Sequence, residues 1–480
     1  MIIVQKIINV IKKLKNNLTN RKKISSKEPI VVSNNENIIN NSDKYLIIPS
    51  SLNGFINTST DIEDNKLITY YGELIPKEDD YVCPKCGHKM HINSYKKMKL
   101  KHLPIGSKGS IVKFKRAQLF CEECHYSNMQ SVSFKAVKHL ITKEVYTYIK
   151  DLLATGKYTN TEVAQITRVN RNIVKEIDKE RLIEKYTIDE KGKELIKPEE
   201  QARFLGIDEF KLHDGYKYAT HIINLETGHI LWVQKGKKKQ VVYDFMKHVG
   251  NEFMMNVVAV ACDMNSDFEE AFIEKYPHLK IVFDPFHIIK NFNEKVVSEV
   301  RKDEQKRLMK EGKLEEAKRL KRSRYILTSS KETLVKKDKE VKEEKVINKG
   351  SELFDTPTIT RKGNYLETYE TIIKENNLLF TADLVKEKLK FAYSLDNKKK
   401  MKKEIKEIID ICKSTENPHF EWFAKLLEEH LDGIISHATY KLSSGKIEGI
   451  NNKIKTLRRQ AYGYPDDEYF FLKLFDISRD

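Results

Sequence analysis

Between residues 203 and 285 the apolar positions fall in short runs. Phe204-Leu205-Gly206-Ile207, Tyr216 to Ile223, His229 to Val233, Val257 to Cys262 and Lys280 to Phe283 are the five of them. Runs of this length predict strands. The stretches 239–249 and 266–275 instead repeat their apolar residues at helical spacing. Strands alternating with helices predict a mixed α/β sheet. Residues 140–185 read as two or three short helices. After His287 the pattern turns helical and strongly charged. Lys, Glu and Arg dominate 294–346, helical periodicity continues over 365–435, and an aromatic cluster, Tyr469-Phe470-Phe471-Leu472, comes last. Residues 15–75 carry Asn, Lys, Ser and Asp with little periodicity, which predicts a loosely ordered arm. Ahead of them, Ile3, Ile7, Val10, Ile11 and Leu14 would share one face of a basic amphipathic helix, read as a packing or partner-docking element.

Charge narrows the class of partner. The 480 residues hold 87 Lys and Arg against 70 Asp and Glu, a formal charge of +17. That balance favours a polyanion, and nucleic acid is the commonest one. No apolar run approaches the roughly 18 residues of a membrane span. The N-terminus shows no secretory signal pattern. The expected compartment is the cytoplasm, with no membrane partner.

Four of the six cysteines form two C-x-x-C pairs, Cys83 with Cys86 and Cys121 with Cys124. Four thiolates at this spacing close a tetrahedral Zn²⁺ site, and a chain without a secretory signal favours metal over disulfides. The long gap between the pairs is basic and contains Gly106 and Gly109, which suits a hairpin excursion. His88 and His125 are alternative ligands, and Cys262 and Cys412 fall in apolar contexts as core residues.

The segment 159–177 resembles a helix-turn-helix. Thr159 or Thr161 would cap its first helix. Val163, Ala164 and Ile166 would give that helix its apolar face, and Ile173, Val174 and Ile177 would anchor the second. The exposed face of the second helix would carry Asn170, Arg171, Asn172 and Lys175, residue types that reach base edges and phosphates. Structural helix bundles share this pattern, and the basic charge favours the DNA reading.

Three acids stand out. Asp208 follows the first apolar run, Asp263 follows the fourth, and Glu448 lies far downstream. A carboxylate at the C-terminal end of a strand projects into the crevice where α/β sheets bind ligands. Divalent cations prefer carboxylate oxygens. Two metals about 4 Å apart can activate an attacking oxygen and stabilise a leaving one. Each Asp alone reads equally as a helix or turn cap. Glu209 is expected to point to the opposite side of its strand. Asp284, after the fifth run, is expected beside the site or as a helix cap, and His287 as a positioning or DNA-contacting group. On a helix, Glu448, Asn451, Asn452, Lys455 and Arg459 would line one face, with a metal ligand at one end and nucleic-acid contacts along the rest.

Four words then carry a resemblance. They are Gly206-Ile207-Asp208-Glu209-Phe210; Tyr218 with Leu225-Glu226-Thr227-Gly228-His229-Ile230-Leu231-Trp232; Phe283-Asp284-Pro285-Phe286-His287; and Leu442 to Lys455 running on to Arg459-Gln460-Ala461-Tyr462-Gly463-Tyr464. In this order, behind a zinc knuckle and a helix-turn-helix, they resemble the DDE transposases of the ISL3 insertion-sequence family over roughly residues 80 to 476. Pro285 and Ser444 depart from the family's usual residues. The resemblance implies a multidomain α/β protein. Residues 1–75 have no counterpart in the family and keep the reading of a flexible arm; the parts after them would be a zinc-binding module over 76–135 and a helix-turn-helix region over 136–195. An RNase H-like catalytic core over 196–300 would follow, then a helical insertion over 301–435, with the core completed over 436–480. It implies Asp208, Asp263 and Glu448 as a catalytic triad holding Mg²⁺ or Mn²⁺. It implies binding to the inverted repeats of an element, metal-assisted cleavage of double-stranded DNA, strand transfer, and an oligomer of the chain on DNA. A catalytically inactive or domesticated DNA-binding protein is the alternative.

Overall fold

The computed structural model describes residues 52–479 apart from 216, 265, 341, 346–357, 362, 444 and 462, with 266, 342–345 and 358–361 as backbone alone. The expected amphipathic helix of residues 1–14, and Ser444 and Tyr462, lie outside the described residues.

The arm reading fails from residue 55 onward. Strand β1 (Phe55–Glu63) pairs antiparallel with β2 (Leu67–Leu74), and β2 pairs parallel with β4 (Lys108–Phe120). Strand β4 also pairs antiparallel with β3 (His91–Ile105) and β5 (Ser127–Met129). Only Ile68, Thr69 and Tyr70 of the first two strands are buried. Strand β1 is polar and largely exposed, so it carries no hydrophobic alternation to read.

Three helices follow: α1 (Lys143–Ala154), α2 (Asn160–Thr167) and α3 (Arg171–Tyr186). Ile141, Val145, Ile149, Leu153, Val163, Val169, Val174 and Ile177 form their common core. Thr159, rather than Thr161, caps α2 in a reciprocal box with Glu162, and Asn170 caps α3. Arg168 turns the chain between them with φ 54°. Ile166, expected inside, is 37% exposed, because Val163 and Thr167 supply the buried side of the short α2.

The second sheet contains β6 (Phe204–His213), β7 (Lys217–Asn224), β8 (Ile230–Lys235), β9 (Ala259–Cys262) and β10 (Lys280–Phe283) in the order β10-β9-β6-β7-β8. Strands β6, β7 and β8 form an antiparallel meander, and β9 and β10 run parallel to β6. Helices α4 (Lys239–Val249) and α5 (Ser266–Lys275) occupy the stretches that the periodicity marked, and α6 (Pro285–Asn291) follows β10. Along β6 the core alternates with the period of two that a sheet covered on both faces requires. Leu205 and Ile207 face the core shared with α4, α5 and the helices of the insertion. Leu212 enters the other core, with α7 (Gly445–Gln460) and α8 (Asp467–Ile477).

From Ser298 to Tyr440 the described residues are mostly helical. Its charged helices bury Leu308, Ala317, Leu320, Leu327 and Leu334 in the core that also holds β6. The last of them, Leu431–Tyr440, returns to the sheet and packs Gly433 on Phe283 of β10. No helix among the described residues is long and apolar enough to cross a membrane.

Candidate active site and metal centre

The parallel strands set the acids in a row. Gly206 pairs with Ala261, so two residues further on Asp208 comes level with Asp263. Phe283 pairs with Cys262, which brings Asp284 level with Asp263 as well. Strand β6 does not stop at Ile207 as its apolar run suggested. It continues to His213 beside β7, while β9 ends at Cys262, so Asp208 is freed by the end of its neighbour rather than of its own strand. Asp208, Asp263, Asp284 and His287 line one small pocket with Ile207, Cys262 and Ile447.

Each acid has defined partners. Asp208 Oδ1 accepts from the Glu209 amide at 2.8 Å, and its Oδ2 accepts from Asn451 Nδ2 at 2.7 Å. Burial pushes the Asp208 carboxyl up, and the Asp263 charge adds to this against the two donors. For Asp263 burial works in the same direction but loses to His287, whose Nδ1 lies 3.2 Å from Oδ1, so this carboxyl is held low. His287 is correspondingly raised: burial lowers it, and the Asp263 carboxylate more than reverses that. Asp284 caps α6, accepting from the Phe286 amide at 2.6 Å, with Pro285 at the first helical position, where its missing N–H costs nothing. Glu209 is not among the residues that line this pocket. Burial raises its carboxyl, and the Asp208 and Asp263 charges contribute.

Glu448 is exposed on the first turn of α7. Its helix packs on β6: Ile447 lies over Gly206, where a side chain would meet it at 2.9 Å, and Asn451, one turn on, holds Asp208. Of the residues expected along this helix, Asn451 holds Asp208, whereas Asn452 faces the cleft with α3. Among the described residues, the three carboxylates do not form a group as tight as the four cysteines do. The setting fits a divalent cation. Half-buried Asp208 and Asp263, level with buried Asp284, crowd negative charge, and Asn451 Oδ1 is buried without a hydrogen-bond partner among the described residues.

The four cysteines meet. Their sulfurs all lie within 4.8 Å of one another, with Cys83–Cys124 and Cys86–Cys124 at 3.4 Å and Cys86–Cys121 at 3.5 Å. Four sulfurs about 2.3 Å from one Zn²⁺ would stand a little under 4 Å apart. His88 and His125 are not part of the group. The β3–β4 hairpin fills the gap between the pairs and accounts for its length.

Asn170, Arg171 and Asn172 are exposed at the start of α3, with Lys175 half-buried. The structure adds a relation absent from the sequence. Arg171, Asn172 and Lys175 line one cleft with Asn452 and Lys453 of α7. Lys455 and Arg459 are exposed on α7 outside that lining. Behind the cleft, α3 is fastened to α8. Arg181 bridges Asp178 (2.8 Å) and Asp476 (2.6 Å), Lys473 reaches Asp178 (3.1 Å), and the Tyr469 hydroxyl donates to Asp178 (2.6 Å). Nearly 300 residues separate the α3 groups from their α8 partners, so no local pattern announces them.

Comparison with known proteins identifies the class. Residues 205–474 match a family model described as a transposase of the ISL3 group, and residues 80–124 match the zinc finger of the IS204, IS1001, IS1096 and IS1165 transposases. The chain belongs to the ISL3 family of transposases. It is similar to the transposase of insertion sequence IS1001 from Bordetella parapertussis, 24% identical over 402 residues, which span 84% of this chain and 89% of that one. It is also 24% identical, over 280 residues, to the transposase of IS1557 from Mycobacterium tuberculosis, covering 55% and 57% of the two chains.

Proposed function

We propose that this transposase binds the inverted repeats of its insertion sequence, cuts the DNA there and transfers the free end to a target, with Asp208, Asp263 and Glu448 as metal-holding residues. The observation that carries this is the level placement of Asp208 and Asp263, with the Glu448 helix tied to Asp208 through Asn451. The strand order, three antiparallel and two parallel, supports an RNase H-like core. Bound Mg²⁺ or Mn²⁺ would supply Lewis acidity at the attacking and leaving oxygens. The protein's own groups do the rest: Asn451 orients Asp208, and His287 keeps Asp263 ionised. Helices α2 and α3 act as a helix-turn-helix, with Asn170, Arg171, Asn172 and Lys175 at the DNA. Asn452, Lys455 and Arg459 meet the backbone from α7, and the cysteines hold zinc. Two element ends call for at least two copies of the chain, so an oligomer on double-stranded DNA in the cytoplasm is the working form.

The test is nicking of a labelled duplex containing the element end, with Mg²⁺ present. Asp208→Ala, Asp263→Ala and Glu448→Gln should each lose nicking by at least a hundredfold while retaining duplex binding. A variant that cuts at the wild-type rate removes its residue from the chemistry.

A further inference from the structure

The first sheet carries a charge arrangement that folding alone does not favour. In the β3–β4 register Lys97 faces Lys115 and Lys99 faces Lys113. Residues directly opposite in an antiparallel pair share a face with their Cβ atoms about 5 Å apart, and like charges there destabilise the sheet. Here two like-charged pairs stand in succession. Lys97, Lys99 and Lys115 are exposed, and among the described residues no carboxylate pairs with them. Lys113 alone has an acid, Glu63 at 3.9 Å, and sits 5.0 Å over the Tyr71 ring of β2. Tyr95, opposite Ala117 beside the lysines, is 59% exposed.

The track leads somewhere. Lys101, two residues beyond Lys99, donates to the Arg168 carbonyl at 2.5 Å, in the turn between α2 and α3. Arg168 in turn donates to the Ser107 carbonyl at the tip of the hairpin. The lysine face is thereby anchored to the turn that precedes α3. Strand β2, which supplies Tyr71, lies outside both family matches.

We propose that this sheet face is a second DNA surface, which grips the phosphate backbone of the duplex next to the segment met by α3. The inference takes its partner from the DNA reading above. Lysines two residues apart step about 6.8 Å along a strand. A DNA strand offers one phosphate per roughly 3.4 Å of axis, so each ammonium can meet a phosphate of its own. Neutralisation by the polyanion relieves the repulsion that the free protein carries.

The double variant Lys97→Glu with Lys99→Glu tests this in the full-length, zinc-loaded chain. It places a carboxylate opposite each of Lys115 and Lys113. We expect the thermal midpoint without DNA to rise. We expect affinity for a random-sequence duplex of 30 base pairs to fall, and the slope of log K against log salt to shrink by about 2 to 4, at about 0.9 per lost phosphate contact. Opposite signs for stability and affinity cannot come from misfolding. An unchanged slope overturns the surface while leaving the nicking test untouched. A midpoint that falls together with affinity overturns it too, since the like-charge cost is then absent. Failure of the wild-type chain to bind any duplex would sink both this surface and the reading it rests on.

Discussion

A methyl group at Gly433 would lie 2.3 Å from the Phe283 ring, which is fully buried at the end of β10. In an ordinary helix Gly→Ala gains about 1 kcal/mol. Overpacking a closed core costs about 1–3 kcal/mol, so the clash should win. Gly433→Ala is expected to lower the denaturation midpoint, and nicking should fall with it because Phe283 carries Asp284. A stabilised variant would show that the ring moves aside freely. Asp476 makes a second case. Burial alone would raise its carboxyl, but Arg181, Lys185 and Tyr186 donate to it and hold it at about 2. A depressed carboxyl stabilises the fold above its ordinary value near 4 and loses that contribution as pH falls toward 2. The size is about 2 kcal/mol. The stability gap between wild type and Asp476→Asn should therefore be full above about pH 5 and close toward pH 2. A gap independent of pH would remove the carboxylate's charge from the account.

Among the elements, the zinc hairpin is the sharpest test. Strands β3 and β4 carry the two knuckles at one end, and Cys83 and Cys121 are buried there among Met90, Ala117 and Leu119. Cys83→Ser should abolish stoichiometric zinc, measured by atomic absorption, and weaken duplex binding. Full zinc retention would exclude Cys83 as a ligand. Elements of this kind were readable in advance because their signals are local. Each C-x-x-C pair, the apolar periods of α4 and α5, and the Asp284-Pro285 start of α6 are signals carried by a few neighbouring residues. Strand β1 was missed because Asn57, Thr58, Ser59, Thr60 and Asp61 alternate nothing apolar, and its pairing with β2 is a matter of tertiary context. Asp263 was legible as a strand-end acid, and Asp208 as an acid after an apolar run although its strand runs on to His213; the Asn451 bridge is set by how α7 crosses β6, which no spacing encodes.

At the level of the whole molecule, the segments proposed for recognition and for chemistry share a framework. The buried set Asp178, Arg181, Lys473 and Asp476 bolts α3 to α8, and α8 shares a core with β6 and α7. Phosphate contacts on so basic a chain should make duplex affinity drop steeply between 50 and 200 mM salt, by orders of magnitude if six or more are made. A flat response in a filter-binding titration would count against them. The bolt has its own corollary. If α3 reads the DNA and the Asp208 site cuts it, as proposed, this bolt makes the protein a caliper, with the span from the bases read to the bond broken cast into the fold. Adding about five base pairs inside that span would turn the target bond to the far side of the double helix. Cutting should then cease or move to a new position, where a reader on a loose tether would simply stretch.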